Sequence, residues 1–243
     1  MQQLEETRSE SRARSRRGRR RLVLAGAALA LVLAVGGPFA YINFVQEDAP
    51  ERLGVATATT GGDTAAATGA SLDGTWTVAS GSQAGYRVEE VLLGQNVEAV
   101  GRTSAVTGEL TVSGTEVQSG SLSVDLTQVT SDEDRRDDAF QGRIMETASY
   151  PTATFELTGP ITLAELPAEG ETVTTTANGE LTLHGTTKAV TVELTVQRDG
   201  DTVNLSGSLP VTFADYGIAN PSFGPVTTED SGEVEFLLAF TRG

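Results

Sequence analysis

Gly179-Glu180-Leu181-Thr182-Leu183-His184-Gly185-Thr186-Thr187-Lys188-Ala189-Val190-Thr191-Val192-Glu193-Leu194-Thr195-Val196 alternates apolar and polar side chains on both sides of His184-Gly185. In extended chain a period of two puts Leu181 and Leu183, then Val190, Val192, Leu194 and Val196, on one face. His184, between Leu183 and Gly185, marks a strand end entering a turn. The same alternation recurs in Leu110 with Val112, Leu122-Val124-Leu126, Phe155 with Leu157, Val203 with Leu205, and the closing run Val234 to Phe240. Arg198-Asp199-Gly200-Asp201 is a tight hairpin signal, and Ser119-Gly120 and Asn178-Gly179 read as weaker breaks. About eight strands with no long helix between them predict an all-β antiparallel sandwich or closed barrel over residues 72–243. Ser131 to Tyr150 departs from the pattern. It is rich in charge and carries Phe140, Ile144 and Met145 at near-helical spacing, which predicts a short helix or ordered loop over one end.

Toward the N-terminus the composition changes twice. Residues 46–71 are Thr, Ala, Gly and acids without apolar periodicity, and read as a flexible linker. Residues 22–45 contain no ionisable side chain and as a helix would run roughly 36 Å, enough to cross a bilayer. Eight arginines between Arg8 and Arg21 precede them. That asymmetry predicts a single-pass cell-membrane protein with residues 1–21 as a cytoplasmic tail and everything after 45 extracytoplasmic. Phe39, Tyr41 and Phe44 fit an interfacial aromatic belt. The competing reading is a cleaved signal peptide, with Leu22 to Val35 as its apolar region and Gly36-Gly37-Pro38 as a helix breaker. Both readings export the folded domain.

From Gln46 onward nine basic residues face thirty acids, a balance of −21. This excludes nucleic acid as a partner of the domain, because phosphate binding needs clustered Lys and Arg. Without cysteine there is no disulfide, thiolate metal site or cysteine nucleophile. A single histidine, His184, excludes multi-histidine zinc sites, and no Gly-x-Ser-x-Gly elbow accompanies it. Asp132-Glu133-Asp134 with Asp137-Asp138 lacks calcium-loop spacing and is interrupted by Arg135-Arg136, so it reads as a solvated, locally paired loop. Neither a catalytic nor a metal-binding residue is assigned, no cofactor is expected, and an enzymatic reading rests only on scattered polar residues.

Four segments in order resemble the YceI-like family. They are Asp73-Gly74-Thr75-Trp76-Thr77-Val78 with Tyr86-Arg87-Val88, then Arg136-Asp137-Asp138 through Tyr150-Pro151-Thr152-Ala153-Thr154-Phe155-Glu156, then Gly179 to Lys188, and finally Phe213-Ala214-Asp215-Tyr216-Gly217-Ile218. The resemblance spans Leu72 to the C-terminus. It implies a lipocalin-like antiparallel β-barrel that binds a polyisoprenoid chain. The chain departs from the family where Ala139-Phe140 stand in place of its common His-Leu, so any head-group contact made by that histidine is absent or changed here.

An eight-strand barrel has an interior that side chains fill or that holds one small ligand. Tyr86, Val88, Phe155, Leu157, Leu181, Leu183, Val190, Val192, Leu194 and Phe213 are the expected apolar lining, and Trp76 is read as core filling. The expectation is a non-catalytic, membrane-tethered lipid-binding protein that takes a prenyl quinone or polyprenyl phosphate into the barrel. The alternative is a cell-envelope adhesion or scaffold module with a filled barrel and an acidic interaction surface. Nothing in the sequence identifies a protein partner.

Overall fold

The computed structural model describes residues 49–55, 71–92, 94–163, 167–224 and 226–243. The expected spanning segment at 22–45 and the arginine-rich tail lie outside the described residues, among which no helix is long and apolar enough to cross a membrane. The strands are β1 (Gly74–Val78), β2 (Gln83–Leu92), β3 (Gln95–Thr103), β4 (Val106–Ser113), β5 (Glu116–Asp125) and β6 (Thr152–Leu157). They continue with β7 (Ile161–Thr162), β8 (Thr172–Leu183), β9 (Thr186–Asp199), β10 (Thr202–Thr212), β11 (Val226–Thr228) and β12 (Ser231–Arg242).

Eight of these form a closed antiparallel ring in the order β1-β4-β5-β6-β8-β9-β10-β12, and the β1–β12 pairing closes it. The sandwich half of the sequence expectation is thereby set aside. The long last strand serves two neighbours. Its Phe240–Arg242 end pairs with β1, and Glu233–Leu237 pairs with β2. Strand β2 in turn pairs along its length with β3, so the first two positions of the wall are each built from two successive strands. This is an eight-stranded, lipocalin-like barrel, with the wall at one end extended by the β2–β3 hairpin and β11.

The hairpins show which sequence signals were turns. His184 and Gly185, with φ of 50° and 72°, make the two-residue connection between β8 and β9, where Leu183 pairs with Thr186. Gly200 and Asp201 connect β9 to β10 in the same way, since Asp199 pairs with Thr202. Ser119-Gly120 and Asn178-Gly179 are corrected: the first lies inside β5, beside a register shift that leaves Gln118 unpaired with β4, and the second lies inside β8 in a continuous ladder. Their glycines make room for side chains of neighbouring strands. A Cβ on Gly120 would strike Leu110, and one on Gly179 would strike the Phe155 ring.

The charged segment forms helix α1 (Asp134–Ala139), which runs into one wide turn over Phe140–Ile144 closed by Met145 N–H donating to the Phe140 carbonyl at 2.8 Å. Asp134 and Asp137 sit in the first turn, where negative charge suits the helix N-terminus. We call the end of the barrel under α1 the helix end, and the opposite end, with the β4–β5 and β9–β10 turns, the hairpin end.

Between Ala49 and Val55 the chain lies on the outer wall of β10, β12, β2 and β3. Arg87 donates to the Pro50 carbonyl at 2.7 Å, Arg102 donates to that of Glu51, and Val55 N–H donates to Ser206 Oγ at 3.2 Å. Beneath this strap Glu235, 1% exposed, pairs with Arg102 at 2.7 Å and Arg87 at 3.4 Å. Arg87 also pairs with Glu98 at 2.7 Å, and Arg52 of the strap pairs with Glu233.

Candidate functional site

Inward residues alternate with outward ones along every long strand, and the inward set is almost wholly apolar. It packs as two clusters, one around Trp76, Leu238 and Phe240, the other around Leu183, Val192, Phe213 and Phe140. Neither cluster fills the bore. Among the described residues the bore holds a deep chamber of about 170 Å³ toward the hairpin end and a rim chamber of about 140 Å³ under α1. Ala84, Val124, Ala153, Leu183 and Val234 line both, so the chambers meet at a waist of mostly small side chains. An apolar cavity of about 150 Å³ stays dry and takes up a small hydrocarbon, so each chamber is of binding size.

The bore stays open partly because of where glycine stands. Tyr86 pairs across the ladder with Gly101, and Phe236 pairs with Gly207. A methyl group at Gly101 would overlap the Tyr86 ring, and one at Gly207 would meet Phe236 Cζ at 2.8 Å. Large rings therefore lie against the wall over glycine instead of projecting across the interior.

Of the residues singled out in the sequence, Phe155, Leu157, Leu181, Leu183, Val192 and Leu194 stand on the wall of the deep chamber. Tyr86, Val88 and Phe213 stand on that of the rim chamber, with Leu183 common to both. Val190 reaches neither wall; it pairs with Gly179 and packs against the core cluster. Trp76, read as core filling, is part of the core and also lines the deep chamber, its indole N–H donating to the Leu72 carbonyl at 2.8 Å. Sequence reasoning did not single out Phe236, Phe240 or Leu238 as lining, although they lie in a run it recognised as one apolar face. Phe140, Ile144 and Met145 roof the rim chamber, and the Phe140 ring stacks on Tyr86 at 5.0 Å. The departure at Ala139-Phe140 thus places an aromatic ring on the cavity wall.

Polar side chains stand at both ends of the bore, with Thr115 and Glu116 bordering the deep chamber at the hairpin end. Glu90, Arg136 and Glu233 line the rim chamber. Burial pushes the Glu90 carboxyl above the usual range, with the Arg136 guanidinium pulling it down and Asp132 pushing it up. Burial likewise raises the Tyr86 phenol, which stays protonated at any physiological pH. Arg136 is engaged with Asp132, and Asp137 accepts from the Ser131 backbone N–H at 2.8 Å and its hydroxyl at 2.6 Å. His184 lies outside the bore. Its Nδ1 is 3.3 Å from the Tyr216 carbonyl, its Nε2 is 3.7 Å from Glu146, and its ring tilts against Tyr150 at 4.5 Å.

This architecture matches solved structures. A polyisoprenoid-binding domain from Saccharophagus degradans superposes with a TM-score of 0.55 at 20% identity, covering 69% of this chain and 98% of that one. A YceI protein from Campylobacter jejuni superposes at 0.50 with 13% identity, covering 59% and 84% respectively. At such identities the likeness speaks for the fold. No curated protein sequence matches the chain. The model of the YceI-like domain matches residues 76–240, from the tryptophan of β1 to the closing strand. That match reaches all eight strands of the ring and covers more than half of the sequence, and the chain belongs to the YceI-like family.

Proposed function

We propose that this protein is a membrane-tethered, extracytoplasmic lipid carrier that takes a polyisoprenoid into the barrel without catalysing a reaction. The observation that carries the reading is the pair of adjoining apolar chambers, whose walls offer a hydrocarbon chain almost nothing to hydrogen-bond. Each Å² of apolar surface withdrawn from water contributes about 25 cal/mol, so a prenyl tail supplies affinity by burial alone. The name of the Saccharophagus relative points the same way. A chain occupying both chambers passes the waist at Ala84 and Ala153, where side chains are smallest. The open bore also counts against the adhesion or scaffold alternative, which requires a filled barrel.

The helix end favours a prenyl quinone over a polyprenyl phosphate. A phosphate there would face Glu90, while Arg136 is already paired with Asp132. A neutral head group accepts a hydrogen bond from the Tyr86 hydroxyl without that repulsion. The residues 22–45 serve as the anchor, and the tether raises the barrel's concentration at the bilayer that holds its ligand.

The full chain purified in mild detergent, denatured and extracted into organic solvent, is expected to release a prenyl lipid in near-stoichiometric amount by mass spectrometry. Repeated recovery of empty protein that also fails to take up added prenyl quinone contradicts the reading.

A further inference from the structure

Two independent features converge on the helix end of the barrel. The first is apolar exposure. Among the described residues the exposed large apolar side chains are Phe223, 73% exposed, and Val91, 38% exposed. Both lie at this end: Val91 is next to Glu90 of the rim chamber, and Phe223 is two residues from Pro221, which lines it. Strand β11 ties the two together, because Val226 bridges to Phe223 and Thr227 pairs with Val91. The Arg143 guanidinium stands 5.3 Å over the Phe223 ring and donates to the Pro221 carbonyl at 2.9 Å. An exposed aromatic ring beside an arginine suits the boundary between head groups and acyl chains.

The second feature is the direction of the strap. Pro50 is held by Arg87, which pairs with Glu233 on β12; Glu51 is held by Arg102, which binds Glu235; and Val55 is held by Ser206, which pairs with Leu237. The contacts step along β12 from 233 to 235 to 237, from the helix end toward the hairpin end. The chain therefore reaches the barrel at its helix end. From Val45, the last residue of the apolar segment, to Ala49 are four residues, which span at most about 14 Å.

We infer that the helix end is a bilayer-docking surface, with Phe223 and Val91 dipping into a phospholipid leaflet and the strap Ala49–Val55 holding the rim chamber toward it. This rests on the anchor proposed above and adds a pose: the ligand passes between leaflet and rim chamber without crossing water. The acids at the same end, Glu89 and Glu229 among them, make a zwitterionic leaflet the matching surface.

The chain has no cysteine, so single cysteines report position cleanly. Full chains carrying Thr227→Cys at the helix end or Asp201→Cys at the hairpin end are labelled with an environment-sensitive fluorophore. They are then reconstituted in phosphatidylcholine vesicles containing brominated lipid. Quenching at 227 is expected to exceed that at 201 several-fold, and adding Phe223→Ser is expected to remove most of it. Prenyl-quinone uptake from detergent micelles, measured on the same proteins, is expected to be unchanged by Phe223→Ser. Equal quenching at both ends, or quenching indifferent to Phe223→Ser, overturns the docking. So does failure of the chain to float with the vesicles, which removes the anchor as well. Uptake without end-selective quenching overturns the docking and leaves lipid binding standing, whereas selective quenching without uptake supports the docking and removes the lipid reading.

Discussion

The inner and outer faces of β2 and β12 use the same alternation to opposite ends. Inward, Tyr86, Val88, Val234 and Phe236 line a space that is left open. Outward, Arg87 and Glu235 sit in a closed layer of ion pairs sealed under the strap. A bore whose wall is mostly hydrocarbon tolerates a vacancy because it strands few polar groups without a partner. A buried charge has no such tolerance, so the outer face is completed down to backbone carbonyls. The lesson is that this barrel places its rigidity outside and its capacity inside, and substitutions on the two faces should differ in what they damage.

The largest expected effect is on the outer face. Glu235→Ala leaves Arg87, 4% exposed, without its buried partner, and should lower stability by about 3–5 kcal/mol in urea unfolding. A loss below about 1 kcal/mol would mean that water or Glu98 replaces the pair. On the inner face Ala84→Leu fills the waist between the chambers. It should cost about 1–3 kcal/mol through overpacking, yet reduce prenyl-quinone uptake more than tenfold. Uptake that survives would place the ligand elsewhere. Returning to the outer face, Ser206→Ala removes the acceptor of Val55 N–H and should cost about 0.5–1.5 kcal/mol. Uptake should not change, while hydrogen exchange at Val55 should quicken.

The smallest effect is a pH dependence. Because the folded state raises the Glu90 carboxyl, it holds that proton more tightly than the unfolded chain does. Stability from this group is therefore greatest at low pH and falls as pH rises from the ordinary carboxylate range through the raised value. Glu90→Gln should match the native protein in acid and exceed it at neutral pH in thermal melts. A constant difference across pH would assign the effect to packing instead of titration.

The comparison also explains what could be read in the sequence. The Leu181–Leu183 end of β8 and the Val190–Val196 run of β9 were legible because apolar side chains alternate there, and the segment roofing the rim chamber was legible from the spacing of Phe140, Ile144 and Met145. The glycines of Asn178-Gly179 and Ser119-Gly120 misled because a glycine that opens a turn and one that admits a neighbour's side chain look alike in sequence. Only the register that sets Phe155 over Gly179, or Leu110 over Gly120, distinguishes them. The division of the first two wall positions into β1 with β2 and β3 with β4 was hidden because each break spans only a few residues. The ion layer was invisible for a different reason. Arg87 and Glu235 are 148 positions apart, and the strap is bound through carbonyls of Pro50 and Glu51, which no side-chain pattern records. Residues 49–55, inside the segment read as linker, are held against the wall for that reason. Val190 shows the limit of periodicity on the inner face, since it shares parity with Val192 but does not reach the bore.

Trp76 is the chain's one tryptophan and lines the deep chamber, so it reports directly on whether a prenyl tail arrives there. Titrating the detergent-solubilised full chain with a prenyl quinone should change Trp76 emission saturably, with one equivalent per barrel, and the change should vanish in Ala84→Leu. An emission change that never saturates, or that persists equally in Ala84→Leu, would contradict a ligand seated in the bore.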